Sequence, residues 1–439
     1  MALGLTPIQI IEKGTHPQLV IADDWERVQL KHIATVQNGY AFSSKLFNHN
    51  EGLPLIRIRD IFSSETQNLY SGEYKDEFLV SKGDILIGMD GDFKVSKWPG
   101  KKGLLNQRVC RILFNSNHYE KEFLFLCIQP YLDAIHSETS AVTVKHLSSR
   151  TINDIPFPLP PLVEQKAIVK KIEELFSSLD SGISDLKKAQ DQLVVYRQAV
   201  LKKAFEGIKE FKPLKECGEW KGGGTPSRQV KEYWENGKIP WVSSRDVKTK
   251  EIHDTERHIT EIAIPNSSTK WIEKDALLFV MRSGILRRIF PIAIAKTKLC
   301  VNQDIQTVSL NDSWSTEYVY WFLQGNESDI RHSCSKDGTT VESIDANSLK
   351  AYLVPSCSLK EQHQIVSDIE SRLSVCDKVE KDIVDSLEKA QALRQSILKK
   401  AFEGKLLSEE EIATCKADKD YESASVLLER IKKEKQNKK

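Results

Sequence analysis

The chain has 439 residues, of which 40% are hydrophobic and 28% charged, with 63 Lys and Arg against 62 Asp and Glu for a formal net charge of +1. A length of this order suggests roughly two to four domains, each able to bury its own core, and the composition is that of an ordinary globular protein. The near-zero net charge argues against a protein that coats nucleic acid indiscriminately, but not against local basic surfaces, because binding depends on where charge sits.

Residues 1–24 form an N-terminal extension without the basic start and apolar core of a secretion signal. The longest apolar runs, such as Ile289–Ala295, are too short to span a bilayer, so a cytoplasmic protein with no membrane partner is expected. The eight Cys residues include no CxxC pair and read as reduced thiols.

Residues 25–160 read as a first globular block. It has β-like runs at Leu53–Ile58, Asp84–Gly88 and Val109–Phe114, turn residues at Asn38-Gly39 and Pro99-Gly100, and a helical stretch Glu120–Ile135. Pro156, Pro158, Pro160 and Pro161 announce a long helix over 161–207, with Gly207 as its C-terminal cap. Residues 208–357 repeat the first block in order, ending in a helical stretch Thr316–Arg331. A second long helix spans 358–406. The tail, 407–439, is charged and Lys-rich; one short helix, Glu422–Lys432, is expected there, followed by fraying.

The two long helices are copies. Glu164–Gly207 aligns without a gap on Glu361–Gly404 at an offset of 361 − 164 = 197, with 18 of 44 positions identical. A repeat at this period is a duplicated domain and not a solenoid unit, and a duplicated chain can carry a pseudo-two-fold axis of the kind that DNA-reading dimers use to engage two half-sites. The globular blocks are more divergent copies. Leu53–Asp60 matches Ile239–Asp246, Lys82–Leu86 matches Lys274–Leu278, Leu105-Asn106-Gln107 matches Val301-Asn302-Gln303, and Val142-Thr143-Val144 matches Thr339-Thr340-Val341.

Apolar residues recur along the first helix in alternating steps of four and three, including Ile168, Ile172, Leu179, Leu186 and Leu193. The second helix does much the same through Ile365, Ile369, Val379, Ile383, Leu393 and Ile397. Alone, such stripes expose too much apolar surface, so the helices are expected to pair with each other, antiparallel. The expected fold is α+β: two globular mixed α/β domains separated by a pair of long antiparallel coiled-coil helices.

Basic charge collects at one topological place in each block. Phe93–Ile112 holds Lys94, Lys97, Lys101, Lys102, Arg108 and Arg111 without an acid, and Met281–Lys298 holds Arg282, Arg287, Arg288, Lys296 and Lys298, again without an acid. Together with Gln107 and Gln303, and apart from Arg111, these are the candidate DNA-binding residues, since Lys and Arg neutralise phosphates while Arg, Asn and Gln pair with base edges. Arg59-Asp60 and Arg245-Asp246 recur and suit either a structural ion pair or a reader. Asn106 and Asn302 suit either a held loop or a DNA contact. Trp98, Tyr40 and Trp241 read as core or rim.

The motifs of catalysis are missing. No GxxxxGK[ST] loop occurs, and Gly222-Gly223-Gly224 opens no helix. Asp154-Ile155-Pro156-Phe157 has one proline where an amino-methyltransferase needs two. The ten His fall in no metal-ligand spacing, and His253 and His258 read as surface residues. Neither a catalytic constellation nor a metal site is expected. A coiled-coil adaptor without sequence preference on DNA is the alternative to a DNA reader.

In this order, and twice, the motifs resemble the specificity (S) subunits of type I restriction–modification systems, over nearly the whole chain. They are Asn38-Gly39-Tyr40-Ala41-Phe42, Leu104–Val109, Pro158-Leu159-Pro160-Pro161 with Glu164-Gln165, Gly223–Ser227, Val301–Asp304, and Leu-Lys-Lys-Ala-Phe-Glu-Gly closing each helix. The resemblance implies two target-recognition domains, each reading half of a split, asymmetric site on double-stranded DNA, with the paired helices setting the spacer. It implies docking of two modification (M) subunits, which would bind S-adenosylmethionine and flip the adenine they methylate, and of restriction (R) subunits in the full complex. The chain itself would bind no cofactor. Pro355-Ser356-Cys357-Ser358 departs from the proline run expected before the second helix.

Overall fold

The computed structural model describes residues 5–114, 116–139, 145–336 and 342–437. The matched segments Val142-Thr143-Val144 and Thr339-Thr340-Val341 lie outside them. The chain divides into two compact units, Met1–Ser184 with Leu387–Lys439, and Asp185–Ser386. The division runs through both long helices and not at their ends, so each unit holds the start of one helix and the end of the other.

In the first unit a four-stranded antiparallel sheet runs in the order Ala34–Asn38, Val109–Phe114, Ile85–Gly88, Val95–Lys97. A second sheet contains Leu53–Ile56 parallel to Gly103–Leu105. The helix Lys121–Glu138 buries Phe123, Leu124, Cys127, Ile128, Tyr131, Leu132 and Ile135. That spacing of three and four places them on one face, against Ile85, Ile87, Cys110 and Ile112 of the sheet. The second unit repeats this order with Gly218–Gly222, Ile305–Leu310, Leu277–Val280 and Ile292–Ala295, and adds Glu251–Ile252 at the edge. Ile239–Val242 lies parallel to Cys300–Val301, as Leu53–Ile56 does to its partner. The helical stretch expected over Thr316–Arg331 is two helices, Thr316–Gly325 and Glu327–Ser333, broken at Asn326.

The long helices are Leu162–Ala204 and Leu359–Phe402. Each starts from an anchored strand: Pro156–Leu159 pairs with Glu26–Gln29, and Leu353–Pro355 with Phe211–Pro213. The duplicated Gln at each start is buried and clamps the globule to the helix. Gln165 accepts from the Glu120 amide at 2.7 Å and donates to Pro160 O at 2.7 Å. Gln362 accepts from the Ser315 amide at 2.8 Å and donates to Cys357 O at 2.9 Å. Tyr119 donates to Pro158 O and Tyr318 to Pro355 O, at 2.8 and 3.0 Å. The tyrosine clamp therefore survives although the proline run does not.

The duplicated helix ends are equally functional in packing. Phe402 packs edge-on against Phe123 in the first unit's core, and Phe205 packs against Tyr318 and Phe322 in the second. Truncating either Phe to Ala would cost about 3–5 kcal/mol. Gly207 and Gly404, at φ 90° and 70°, take the left-handed cap that lets each chain turn away.

The pairing is antiparallel in each unit: Asp180 meets Arg394 in the first and Arg197 meets Asp377 in the second. Of the expected pairing residues, Ile168, Ile172, Ile369, Ile383 and Ile397 are buried, while Leu179, Leu186, Leu193 and Ile365 are half-buried. Leu393 is a correction. It is 49% exposed, as are Tyr196 at 48% and Val379 at 41%. A straight helix drifts against a strict heptad by about 20° per repeat, and one residue further on, Arg394 and Arg197 take the seam position.

The tail differs from expectation too. It forms two helices, Glu409–Lys416 and Ala424–Asn437, and buries Leu427 and Ile431 in the first unit's core. Glu411 pairs with Lys171 at 2.8 Å and Glu434 with His118 at 2.7 Å. Among the described residues no helix is long and apolar enough to cross a membrane, and no cluster of three or more His, Cys, Asp or Glu is placed to hold a metal ion.

Candidate nucleic-acid interface

In both units the same backbone hydrogen bonds tie four loops together at one end of the sheets. The Asn-Gln loop is the hub. In the first unit Asn106 N donates to Ile56 O, Tyr40 N to Leu105 O, and Met89 N to Arg108 O. In the second, Asn302 N donates to Val242 O, Gly224 N to Val301 O, and Met281 N to Asp304 O. Gly39 and Gly223 are required by this approach, because a Cβ would fall 2.0 Å from Asn106 O and 2.1 Å from Val301 O. The last loop is closed by Leu147 N to Met89 O and by Ile344 N to Met281 O.

The recurring Arg-Asp pair divides its work. Asp60 Oδ2 accepts from the Arg57 amide at 3.1 Å and Asp246 Oδ2 from the Ser243 amide at 2.8 Å, so each Asp caps its own turn. Burial pushes the Asp60 carboxyl up, against the pull of that amide and of Arg59 and Arg57. Arg59 and Arg245, by contrast, are exposed. Asn106 and Asn302 are buried loop anchors, whereas Gln107 and Gln303 are exposed beside them. Trp98 and Trp241 are core residues, and Tyr40 is 52% exposed.

Side chains at equivalent positions on this frame are inverted in charge. Asp90 follows Met89 where Arg282 follows Met281, and Arg108 stands where the other copy has Asp304. In the first unit Arg108 and Asp90 form an ion pair at 3.5 Å, with His146 2.5 Å from the same carboxylate.

Much of the predicted basic surface is used elsewhere. Lys97 is a correction: it pairs with Glu122 and lies 4.8 Å from the Phe125 ring centroid. So is Lys296, only 18% exposed, whose pKa is drawn down by burial but raised on balance by Glu317 and Asp275. Lys94 pairs with Asp133 at 3.4 Å, Arg287 with Glu342 at 2.9 Å, and Lys298 with Glu273 at 2.9 Å. Arg111 is held by Asp84 and Gln37. Lys101, Lys102 and Arg288 are exposed, the two lysines at the far end of Gly103–Leu105 from Asn106. The frame thus gathers Gln107, Arg108, Arg282 and Gln303 and disperses the other candidates. Charge runs in a strand sequence point to alternate faces, which composition cannot reveal.

Two residues were missed. Arg228 and Arg257 line a concavity of about 270 Å³ in the second unit with Arg245 and Gln303. The available signal was position, since Arg228 directly follows the Gly223–Ser227 motif.

The family model described as "Type I restriction modification DNA specificity domain" matches residues 22–188 and again 208–389. The chain belongs to this family. It is 31% identical to the EcoBI specificity subunit of Escherichia coli, over 99% of this chain and 97% of that one. It is 29% identical to the EcoR124I/EcoR124II specificity subunit of Escherichia coli, over 74% and 80%. Its fold matches a chain solved in work on complex assembly and conformational transition of the type I R-M system, with a TM-score of 0.68 at 18% identity, covering 88% of this chain and 99% of that one. The HsdS subunit from Thermoanaerobacter tengcongensis matches at a TM-score of 0.56 and 19% identity, covering 88% and 98%. The specificity domain therefore occurs twice in this chain, and its role is that of a type I specificity subunit, for which the family implies DNA recognition.

Proposed function

We propose that each unit reads one half of a bipartite, asymmetric site on double-stranded DNA, and that the paired helices set the spacer. Two modification subunits dock on those helices and bring S-adenosylmethionine and the base-flipping chemistry; restriction subunits join them in the full complex. The chain contributes recognition and no catalysis. One observation carries this reading: an identical hydrogen-bonded frame in both units presents opposite charges, with Asp90 and Arg108 in one against Arg282 and Asp304 in the other. One frame bearing two different sets of side chains is what two different half-sites require, because phosphate contacts position a reader while base contacts specify the sequence.

Long-read mapping of N6-methyladenine in the host genome, with and without this gene, tests the reading. Loss of one bipartite motif on deletion is the expected result. An unchanged methylome, with the modification subunits expressed, overturns it.

A further inference from the structure

The second unit's cleft differs from its counterpart in what its arginines are doing. Arg228, Arg245 and Arg257 all line it and are exposed, and among the described residues none of their guanidinium groups has a hydrogen-bond or ion-pair partner. In the first unit the arginines around the frame, including Arg59 at the position of Arg245, are already engaged. Arg57 Nη1 and Arg59 Nη2 both donate to the Asn68 amide oxygen at 3.0 Å, in the orientation the network requires, and Arg108 pairs with Asp90. Three guanidinium groups without partners among the described residues leave donors that an acceptor-rich ligand can take.

The cleft is not a simple phosphate site. Glu256 and Asp304 line it as well, and their carboxylates repel a phosphodiester. Asp246 cannot serve either purpose, because Oδ2 accepts from the Ser243 amide and hydroxyl at 2.8 and 2.7 Å and Oδ1 from the Glu256 amide at 3.4 Å. Gln303 Oε1 accepts from the Thr225 hydroxyl, leaving its amide NH2 as donor. Fork-shaped donors beside carboxylate acceptors match a G·C pair in the major groove, where guanine offers O6 and N7 as acceptors and cytosine offers its N4 amino group. The minor groove fits less well: its edge code is degenerate and its negative potential opposes the two acids.

Resting on the half-site reading above, we propose that this cleft reads guanine in the major groove, with Arg228, Arg245 and Arg257 as its specificity-determining residues. The half-site of the second unit then contains G·C pairs, and each one's discrimination depends on a guanidinium fork and not on charge alone.

Lysine variants separate fork from charge. The full complex of this chain with its modification subunits is reconstituted carrying R228K, R245K or R257K, and methylation is mapped across a library of sites. The expected result is that at least one variant relaxes a G·C position in one half-site, by on the order of 10- to 100-fold in discrimination. The other half-site and the spacer stay as in the parent. If all three variants keep the parent motif, the arginines contact phosphate or nothing, and the proposal is overturned. It is equally overturned if the relaxed position is an A·T pair. Failure of the underlying reading looks different: the unmodified complex itself would then show no bipartite motif.

Discussion

Arg394 on the second long helix reaches Asp180 on the first, and its guanidinium lies 4.5 Å from the Phe176 ring centroid. Subtracting the repeat offset from one partner and adding it to the other turns this pair into Arg197 and Asp377, since 394 − 197 = 197 and 180 + 197 = 377. Those residues are also paired, at 2.7 Å. The same cross-helix contact is thus made once in each unit, and both of its members were retained in both copies.

The partners are substantially exposed, with Asp180 at 63% and Arg394 at 37%, so the pair specifies register more than it stabilises. Asp180→Arg alone should cost about 0.2–1 kcal/mol, the range of such surface pairs, and Arg394→Asp that plus about 0.5–1 kcal/mol for the lost contact with Phe176. The double exchange should restore the ionic part and lose only the contact with Phe176, about 0.5–1 kcal/mol at an exposed site. Urea unfolding of the four proteins checks this. Additive losses in the double variant would mean that the pair contributes nothing to register, and high salt should shrink the coupling.

The duplicated Glu-Gln at the helix starts yields opposite pH behaviour in its two copies. Burial pushes the Glu164 carboxyl up despite the Trp25 indole N–H that donates to it at 3.2 Å. Ser358, through its hydroxyl and amide, pulls Glu361 down. A raised carboxyl favours the fold below its unfolded pKa of about 4.3, and that contribution is lost as pH rises through the folded value. A lowered one contributes above about 4.3 and is lost as pH falls through its folded value. Glu164→Gln should therefore stabilise at neutral pH and lose its advantage in acid, whereas Glu361→Gln should destabilise at neutral pH. Melting temperatures between pH 4 and 7 decide it: two variants with the same sign would refute the assignment.

That contrast also shows what could be read beforehand. The long helices, the cap at Gly207, and the strand Val109–Phe114 were legible because periodicity and turn chemistry are local. Equivalence of the Asn-Gln loops was legible from order alone. The roles of the two glutamates were not, because burial of Glu164 depends on Trp25, 139 residues away. Nor could Lys97 and Lys296 be told from surface lysines, since Glu122 and Glu317 reach them from helices later in the chain. Leu393 leaves the seam because the helix drifts by one position against a strict heptad.

The tail completes the first unit. Leu427 is fully buried and Ile431 is 3% exposed, both within that unit's core. Leu427→Ala should destabilise by about 2–5 kcal/mol. Hydrogen exchange should quicken along Glu26–Gln29, which lies against this helix, and leave Ile305–Leu310 of the second unit unchanged. Equal acceleration in both units would refute a local role. Acid should loosen the preceding helix by another route: Glu411, held down to about 2 by Lys171, contributes above about 4.3 and loses its contact as pH falls toward 2.

If the helices set the spacer, their length should be separable from the reading of bases. Inserting seven residues into each long helix, at facing positions, preserves the seam because a heptad spans two turns at 3.5 residues each. Each helix lengthens by about 10 Å at 1.5 Å per residue. Neither the hydrogen-bonded frame around Asn106 nor that around Asn302 is touched. Methyladenine mapping should then return the same two half-sites with a different spacer. A changed half-site with the old spacer would mean that the helices participate in base reading, and would dissolve the division of labour between frame and helix. An insertion of five residues serves as the contrast: it turns Ile369 and Ile383 out of register with the first helix and should reduce stability along with methylation at every site.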